Sequence, residues 1–225
     1  MNKFKIRASA CGQIMTNPRS KKDILSQTAK TYCEIWLKEQ IYDRSREFKS
    51  KYTEKGLLVE NEAIDFYSKV TGQGMILKNE EWLHNEFITG SPDLILSDRV
   101  VDIKSSWDCF TFPLFDTELD KNYYWQVQCY IELTGKDHAQ VAYVLLDTPD
   151  EIIDREIRSI MYKLGLDEID PDLEGDIYER MRYGNIPDDK RLKIFDVKRD
   201  QVAIDSIYKR VDECRNYIKT LSWEN

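Results

Sequence analysis

Residues 91–106 read Ser-Pro-Asp-Leu-Ile-Leu-Ser-Asp-Arg-Val-Val-Asp-Ile-Lys-Ser-Ser and predict the centre of the fold. Aliphatic side chains dominate residues 93–96 and 100–104, and the Ser-Asp-Arg break between them is typical of a hairpin turn. We therefore expect two short antiparallel strands. Because successive strand residues point to opposite faces, Asp102 and Lys104 should share one face while Ile103 faces the core.

This hairpin would bring acidic groups together, because folding the first strand back on the second places Asp93 near Asp102. Two carboxylates beside an ammonium group repel each other and lose hydration, and a divalent cation relieves that cost. Mg²⁺ prefers carboxylate, water and phosphate oxygens. We expect Asp93, Asp102 and the carbonyl of Ile103 to hold Mg²⁺, and Mn²⁺ should be able to replace it. Lys104, whose own pKa should be lowered at such a site, would orient or deprotonate an attacking water. The alternative is a surface hairpin with solvated charges.

Composition restricts the class of protein. The 225 residues, 41% hydrophobic and 33% charged, fit a single domain over 1–225 with a core at about 45–150. Five scattered cysteines without a CxxC pair argue against disulfides, zinc and iron–sulfur sites, and two histidines disfavour a Ser-His-Asp triad. With no signal peptide and no apolar run longer than six residues, we expect a cytoplasmic protein without a membrane contact. A net charge of −8 disfavours a broad DNA-coating protein but not an enclosed site.

Residues 56–72 predict a helix with Thr53 as its N-cap and Gly72 as its end. Its apolar stripe comprises Leu57, Val59, Ala63, Phe66, Tyr67 and Val70. Glu60 lies beside that stripe, so its carboxylate can point inward, where a buried acid needs a partner. The metal of the hairpin is one possible partner, and a lysine or arginine is the other.

Two further segments carry candidate side chains. Residues 119–133 predict a helix capped by Thr117 or Asp120, and it places Gln126 and Tyr130 on one face. Near the N-terminus, Ser9 could cap a short helix beside Arg7, which would make a phosphate site or a simple cap. The aromatic loop 107–115 is interpreted as core rather than as a contact for bases, and the basic residues of the last helix as a solvated or subunit-facing surface. The remaining predicted helices are 22–44, 151–164, 174–183 and 200–221, and the remaining strands are 75–77, 80–83, 86–89, 138–146 and 193–197.

Pro92-Asp93 followed by Asp102-Ile103-Lys104 resembles the PD-(D/E)xK nuclease signature. Glu60-Asn61-x-Ala63, an aromatic residue, Thr71-Gly72 and then Ser-Pro-Asp resemble the lambda exonuclease and YqaJ-like viral recombinase branch, over residues 9–130. The resemblance implies an α/β fold: a mixed central β-sheet flanked by helices, with a restriction-endonuclease-like core and extra C-terminal helices. It also implies that Gln126 and Tyr130 border the metal centre and that Ser91 helps to hold a terminal phosphate.

The same resemblance implies a Mg²⁺-dependent exonuclease that digests one strand of linear duplex DNA from 5′ to 3′ for recombination. It further implies a ring-shaped homotrimer, a single-strand annealing protein as partner, and a phage or prophage origin in a bacterial host. The family arginines that grip phosphate have no clean counterpart here, so that Arg7, Lys3 or Lys5 would have to substitute for one of them. The alternatives are an endonuclease of restriction or structure-specific type and a non-catalytic DNA-binding protein on the same fold.

Overall fold

The computed structural model describes residues 2–46 and 50–221. Its strands are β1 (Ile6–Arg7), β2 (Leu83–His84), β3 (Ile88–Gly90), β4 (Leu94–Ile95), β5 (Val100–Ser105), β6 (His138–Val144) and β7 (Leu192–Lys198). Its α-helices are α1 (Cys11–Ile14), α2 (Gln27–Tyr42), α3 (Lys51–Leu58), α4 (Glu60–Thr71), α5 (Lys121–Thr134), α6 (Asp150–Leu164), α7 (Pro171–Arg180) and α8 (Gln201–Thr220). Residues 47–49, which belong to the predicted core at 45–150, and residues 1 and 222–225 lie outside the described part.

The larger sheet has the order β4-β5-β6-β7 and is mixed. The pairs β4–β5 and β6–β7 are antiparallel, whereas β5 and β6 are parallel. A parallel pair needs a long crossover, and α5 lies within this one. Strand β6 is central, as its apolar run predicts, and Val141, Ala142 and Val144 are buried. The predicted hairpin and the mixed α/β fold class are confirmed.

A second sheet, β1-β3-β2, was only partly predicted. Strand β1 pairs in parallel with β3 but has two residues, too few to show an alternating pattern. The strand predicted at 75–77 is wrong. These residues form no strand, and the apolar side chains of Met75 and Leu77 are exposed instead of buried in a core. The strands predicted at 80–83 and 86–89 shorten to β2 and β3.

The helix predicted over residues 56–72 is broken at Val59, whose φ of −100° and ψ of 10° separate α3 from α4. The cap of α3 is Ser50, not Thr53: the Ser50 hydroxyl accepts the Thr53 N–H, and the Thr53 hydroxyl accepts the Ser50 N–H in return. Gly72, with φ of 68°, ends α4 as predicted. Leu57 was wrongly assigned to the buried stripe, since it is exposed beside the break.

Other helix boundaries moved to side-chain caps. Helix α2 begins five residues later than predicted because Ser26 accepts the Ala29 N–H. Helix α7 begins earlier because Asp170 accepts the Asp172 and Leu173 N–H groups ahead of it. Asp120 caps α5, as one of the two predictions had it.

The main core joins the N-terminal segment and the helices α2, α5 and α8 to the larger sheet. Helix α8 buries Ile204, Ile207 and Val211, and it also buries Arg215. Interpreting Arg215 as a solvated residue was wrong, because its guanidinium donates to the carbonyls of Phe4 and Glu86. The five cysteines are free thiols, and all but Cys109 are buried. No helix of the described residues is long and apolar enough to cross a membrane.

Candidate active site

The hairpin brings two acidic residues to one end of β5. The Asp93 carboxylate lies just before β4, and its Oδ2 accepts the Ile103 N–H at 2.6 Å. Asp102 on β5 is buried, with 3% of its surface exposed. Burial, and next the charge of Asp102, raise the pKa of Asp93 to about 7. Burial likewise raises the pKa of Asp102.

Lys104 shares the face of Asp102, as the strand periodicity predicts, and its Nζ lies 2.7 Å from Asp102 Oδ2. The same ammonium group lies 4.8 Å from the centre of the Tyr123 ring. Burial alone would lower the pKa of Lys104, but the carboxylates of Asp102 and Asp93 raise it by more, so that its pKa stands above the ordinary value. In this arrangement two acids outweigh the loss of hydration, and the lowered pKa expected for Lys104 beside bound cations stays a prediction.

Gln126 and Tyr130 on α5 contact this centre. The Gln126 amide donates to Asp102 Oδ1 at 3.0 Å and lies 3.0 Å from the Tyr130 hydroxyl. Both side chains are buried. Tyr130 also lies against Gly90, where a Cβ would stand 3.0 Å from its ring. Gly90 thus leaves room for the helix that positions Asp102.

Glu60 begins α4 and lines a cavity of about 280 Å³ together with Asp93 and Ile103. Its Oε2 lies 2.5 Å from Lys78 Nζ, so the partner seen in the structure is a lysine, one of the two predicted possibilities. This ion pair raises the pKa of Lys78. Glu60 therefore faces the same space as the hairpin acids and is neutralised by Lys78.

The predicted phosphate-binding residues lie near the site but are engaged differently. The Ser91 hydroxyl donates to the Glu81 carbonyl and accepts from the Asn79 amide. Ser9 does not cap a helix: Arg7 and Ala10 occupy the N-cap positions, and neither makes a side-chain cap. Ser9 is exposed within a 3₁₀ turn. The guanidinium of Arg7 lies 3.9 Å from Glu39 and is half exposed.

The loop after β5 is only partly core. Phe112 is buried, whereas Phe110 and Phe115 are about nine-tenths exposed, so the prediction of a core loop is wrong for these two. Phe110 lies in a turn in which Asp108 accepts the N–H groups of residues 110 and 111, and Phe115 lies beyond it. Trp107 instead turns toward α3, where its ring packs edge-on against Tyr52.

Three side chains that the sequence did not single out also shape the site. Lys78 neutralises Glu60, and Asn79 donates to Ser91 and to the Pro92 carbonyl, holding the segment that leads to Asp93. Lys55 is fully buried, and its Nζ donates to the carbonyls of Trp107 and Leu146. None of the three stands in a recognisable spacing, so no sequence signal could have found them.

The residues present fit a divalent cation. Asp102 Oδ2 is buried without a hydrogen-bond donor in the described part of the chain, although Lys104 lies within ion-pair distance. This buried oxygen contacts an ammonium group that also faces the second, partly buried carboxylate, so the site carries excess negative charge that a cation would stabilise. Within the same described residues, no three acidic, cysteine or histidine side chains already form a metal-binding group. The fit therefore depends on the aspartate pair and a main-chain oxygen, with Glu60 nearby.

Comparison with known proteins agrees with this geometry. The model of the YqaJ-like viral recombinase domain matches residues 3–137, more than half of the chain. A phage-related exonuclease from Haemophilus somnus 129PT is 29% identical with a TM-score of 0.79, covering 96% of this chain and 94% of that one.

An alkaline exonuclease from Laribacter hongkongensis shares the fold at 14% identity and a TM-score of 0.65, covering 96% of this chain and 88% of that one. Its complex with dAMP gives 16% identity and a TM-score of 0.64 over the same shares of both chains. No curated protein matches the chain at a significant level. The resemblance seen in the sequence motifs is confirmed, and the chain belongs to the YqaJ-like viral recombinase domain family, in the lambda exonuclease branch of the PD-(D/E)xK superfamily.

Proposed function

We propose that this protein is a Mg²⁺-dependent deoxyribonuclease that degrades one strand of linear duplex DNA from its 5′ end, for recombination. The observation that carries the proposal is that the buried Asp102 and the partly buried Asp93 lie together with Lys104, so that two carboxylates share one ammonium group. Two acids and a lysine in this setting suit phosphodiester hydrolysis. The 29% identity to a phage-related exonuclease supports digestion from an end.

Asp93, Asp102 and the carbonyl of Ile103 would hold the metal, and Glu60 would complete that site or a second one. A Mg²⁺ or Mn²⁺ ion bound there polarises a phosphate oxygen and lowers the pKa of a bound water. Glu60 would have to exchange its ion pair with Lys78 for this role, which leaves the Lys78 ammonium beside the site and available to a phosphate.

The chain's own groups position the reactants. Because its pKa is raised, Lys104 keeps its proton and can donate a hydrogen bond to the attacking water or to the scissile phosphate. If a bound metal neutralised the two acids, the pKa of Lys104 would fall, and Lys104 could then accept a proton. Gln126 fixes Asp102 through Oδ1, whereas Oδ2 contacts Lys104 and would have to share or exchange that contact to bind a metal. Tyr130 completes this support by its contact with Gln126.

The finer features belong to the same proposal. Ser91, Ser9 and Arg7 would receive the terminal phosphate, since they lie beside the end of β3 and the N-terminal segment that packs on Gly90. A homotrimeric ring around the duplex, a single-strand annealing partner and action in the cytoplasm of a bacterial cell are the expected setting.

Digestion of a linear duplex labelled at its 5′ or its 3′ end tests the proposal. With Mg²⁺ or Mn²⁺, the 5′ label should appear first in mononucleotides, and EDTA should stop the reaction. Release of the 3′ label first would show digestion from the 3′ end, which contradicts the proposed polarity but not the nuclease activity.

Covalently closed circular DNA separates the alternatives. An exonuclease leaves closed circles intact, whereas efficient cutting of them would identify an endonuclease. Binding of DNA without metal-dependent cleavage of any form would favour the non-catalytic alternative.

A further inference from the structure

Gly56 is a glycine that the fold itself does not require. It lies inside the eight-residue helix α3, where glycine is less stable than alanine. Gly72 is needed for its positive φ, and Gly12 because a Cβ there would stand 2.9 Å from the Cα of Asn122. Gly56 has neither reason: its φ is not positive, and apart from its own helix and chain neighbours no described heavy atom lies within 4 Å of a Cβ built on it.

The space beside Gly56 is the cleft of the candidate active site. A cavity of about 430 Å³ includes Lys104 and Trp107, and the cavity of about 280 Å³ includes Asp93 and Glu60. The two cavities share four residues: Thr53, Gly56, Ile103 and Ser105. Thr53 and Gly56 lie three positions apart on one face of α3, so α3 forms one wall of a continuous cleft and β5 forms the other.

The walls suit a nucleotide. Tyr52, Trp107 and Tyr123 give the larger cavity aromatic surface, on which a base can stack. The ammonium group of Lys51 lies 4.5 Å from the Trp107 ring centre and 3.3 Å from Glu156, and Lys104 lines the cavity beside Asp102, so that two cations lie near the aromatic surface, where a phosphate would attract them. Because Gly56 lines both cavities and has open space at its Cβ, a side chain there would occupy part of the cleft.

We infer that the cleft between α3 and β5 receives one nucleotide unit of the DNA strand beside the scissile phosphate, and that Gly56 is the position that keeps it open. The inference rests on the proposed function and adds where the cleaved strand lies. Gly56 acts by leaving room for the substrate, so filling the position should impair substrate handling without impairing the fold.

Gly56→Ala and Gly56→Leu test the inference, with Gly175→Ala and Gly175→Leu as matched controls. Gly175 lies inside α7, is exposed, and likewise has no described heavy atom within 4 Å of its Cβ. Because alanine and leucine favour helix, melting temperatures should hold or rise at both positions. For Gly56→Leu, kcat/KM on linear duplex DNA should fall roughly 100-fold, the effect expected of a displacement of about 1 Å in the reacting group. Gly56→Ala should lose less, and both Gly175 variants should match the wild type.

A second measurement separates this inference from the proposed function. Anisotropy of a fluorescein-labelled single strand is recorded for Asp102→Asn alone and combined with Gly56→Leu or Gly175→Leu. If the double variant with Gly56→Leu binds more weakly and the one with Gly175→Leu does not, the inference is supported. That result would hold even if the wild type cut no DNA, an outcome that would contradict the proposed function. If Gly56→Leu digests and binds DNA as Gly175→Leu does, the inference is overturned and the nuclease proposal stands. If the wild type neither binds nor cuts DNA, both fail.

Discussion

A partly exposed lysine and a fully buried lysine, on the two walls of the cleft, have pKa values shifted in opposite directions. Lys104 on β5 lies 2.7 Å from the Asp102 carboxylate, and its pKa is raised although burial acts to lower it. Lys55 on α3 faces the carbonyls of Trp107 and Leu146 at 2.8 and 3.0 Å. Burial lowers its pKa to about 8, and the charges of Asp108, Asp147 and Glu62 offset only part of that.

The comparison of Lys104 with Lys55 shows that the group in contact with the ammonium, more than burial, decides whether the pKa of a lysine is raised or lowered. A carboxylate at contact distance raises the pKa of a lysine by more than burial lowers it, whereas neutral carbonyls do not. Lys104 is therefore kept charged among the groups proposed to do chemistry. Lys55 ties α3 to the segments that follow β5 and β6, so its role is to position the walls. Replacing each lysine by methionine should separate these roles.

The largest effect is expected for Lys104→Met. Removing the ammonium group removes the donor to the water or phosphate, and the nuclease rate should fall by roughly 100- to 10,000-fold, as for other proton-transfer groups. Initial rates on linear duplex DNA with saturating Mg²⁺ measure it, and circular dichroism checks folding. Lys209→Met, on the exposed face of α8, is the control and should keep wild-type rates. A fully active Lys104→Met would remove Lys104 from the chemistry.

The next effect is expected for Gln126→Leu, which removes the amide that holds Asp102 Oδ1. Loss of a group that orients a metal ligand typically costs about 10- to 100-fold in activity or metal affinity. The measurement is the Mg²⁺ concentration that gives half-maximal rate, together with the maximal rate.

Gln128 offers the matched control for Gln126. It is also buried on α5, but it donates to the Lys198 carbonyl and accepts the Asp200 N–H, away from the acids. Gln128→Leu should lower the melting temperature and leave the Mg²⁺ dependence unchanged. Equal Mg²⁺ dependence in the two variants would show that Gln126 matters for folding alone.

A smaller effect on rate, with a clear effect on stability, is expected for Lys55→Met. The methionine fills much of the same volume but leaves two buried carbonyls without a donor, which costs roughly 1–3 kcal/mol each at most in the free energy of unfolding. Urea denaturation measures it. The rate should fall less than for Gln126→Leu, because the walls shift but the acids and Lys104 remain. A rate loss as large as that of Lys104→Met would contradict a positioning role.

Much of this arrangement follows from local sequence. The β4–β5 hairpin, the central β6 and the ends of α4 and α5 were predicted because alternation, long apolar runs and terminal glycines act over a few neighbouring residues. The same holds for the meeting of Asp102 and Lys104, two positions apart on one strand. The contact of Gln126 with Asp102 joins distant segments, and it was expected from the family resemblance.

The rest depends on contacts that no local pattern encodes. Lys55 is buried by carbonyls 52 and 91 residues away, and Lys78 meets Glu60 across 18 residues. Strand β1 forms because β3 offers an edge 82 positions along the chain, at Ile6 and Ile88. Arg215 was interpreted as a solvated side chain, but it is buried because main-chain carbonyls far away in the sequence accept its hydrogen bonds.

The smallest expected effect is a pH dependence of stability due to Lys55. Its pKa falls from 10.5 to about 8 on folding, so between these values the unfolded chain holds a proton that the folded chain has released. The free energy of unfolding should therefore rise with pH over this window, and that contribution is lost as the pH falls through 8. The neutral amine still has two N–H groups for its two carbonyls.

Urea denaturation at pH 7.5, 8.5 and 9.5, compared between the wild type and Lys55→Met, isolates this contribution. Tyr183, whose ring lies 5.7 Å from the Lys55 ammonium, has its pKa raised to about 12 by burial and stays neutral. The stability of the wild type relative to the variant should increase with pH. A difference that stays constant would mean that Lys55 keeps its proton when buried, and the contrast with Lys104 would then be one of position and not of charge.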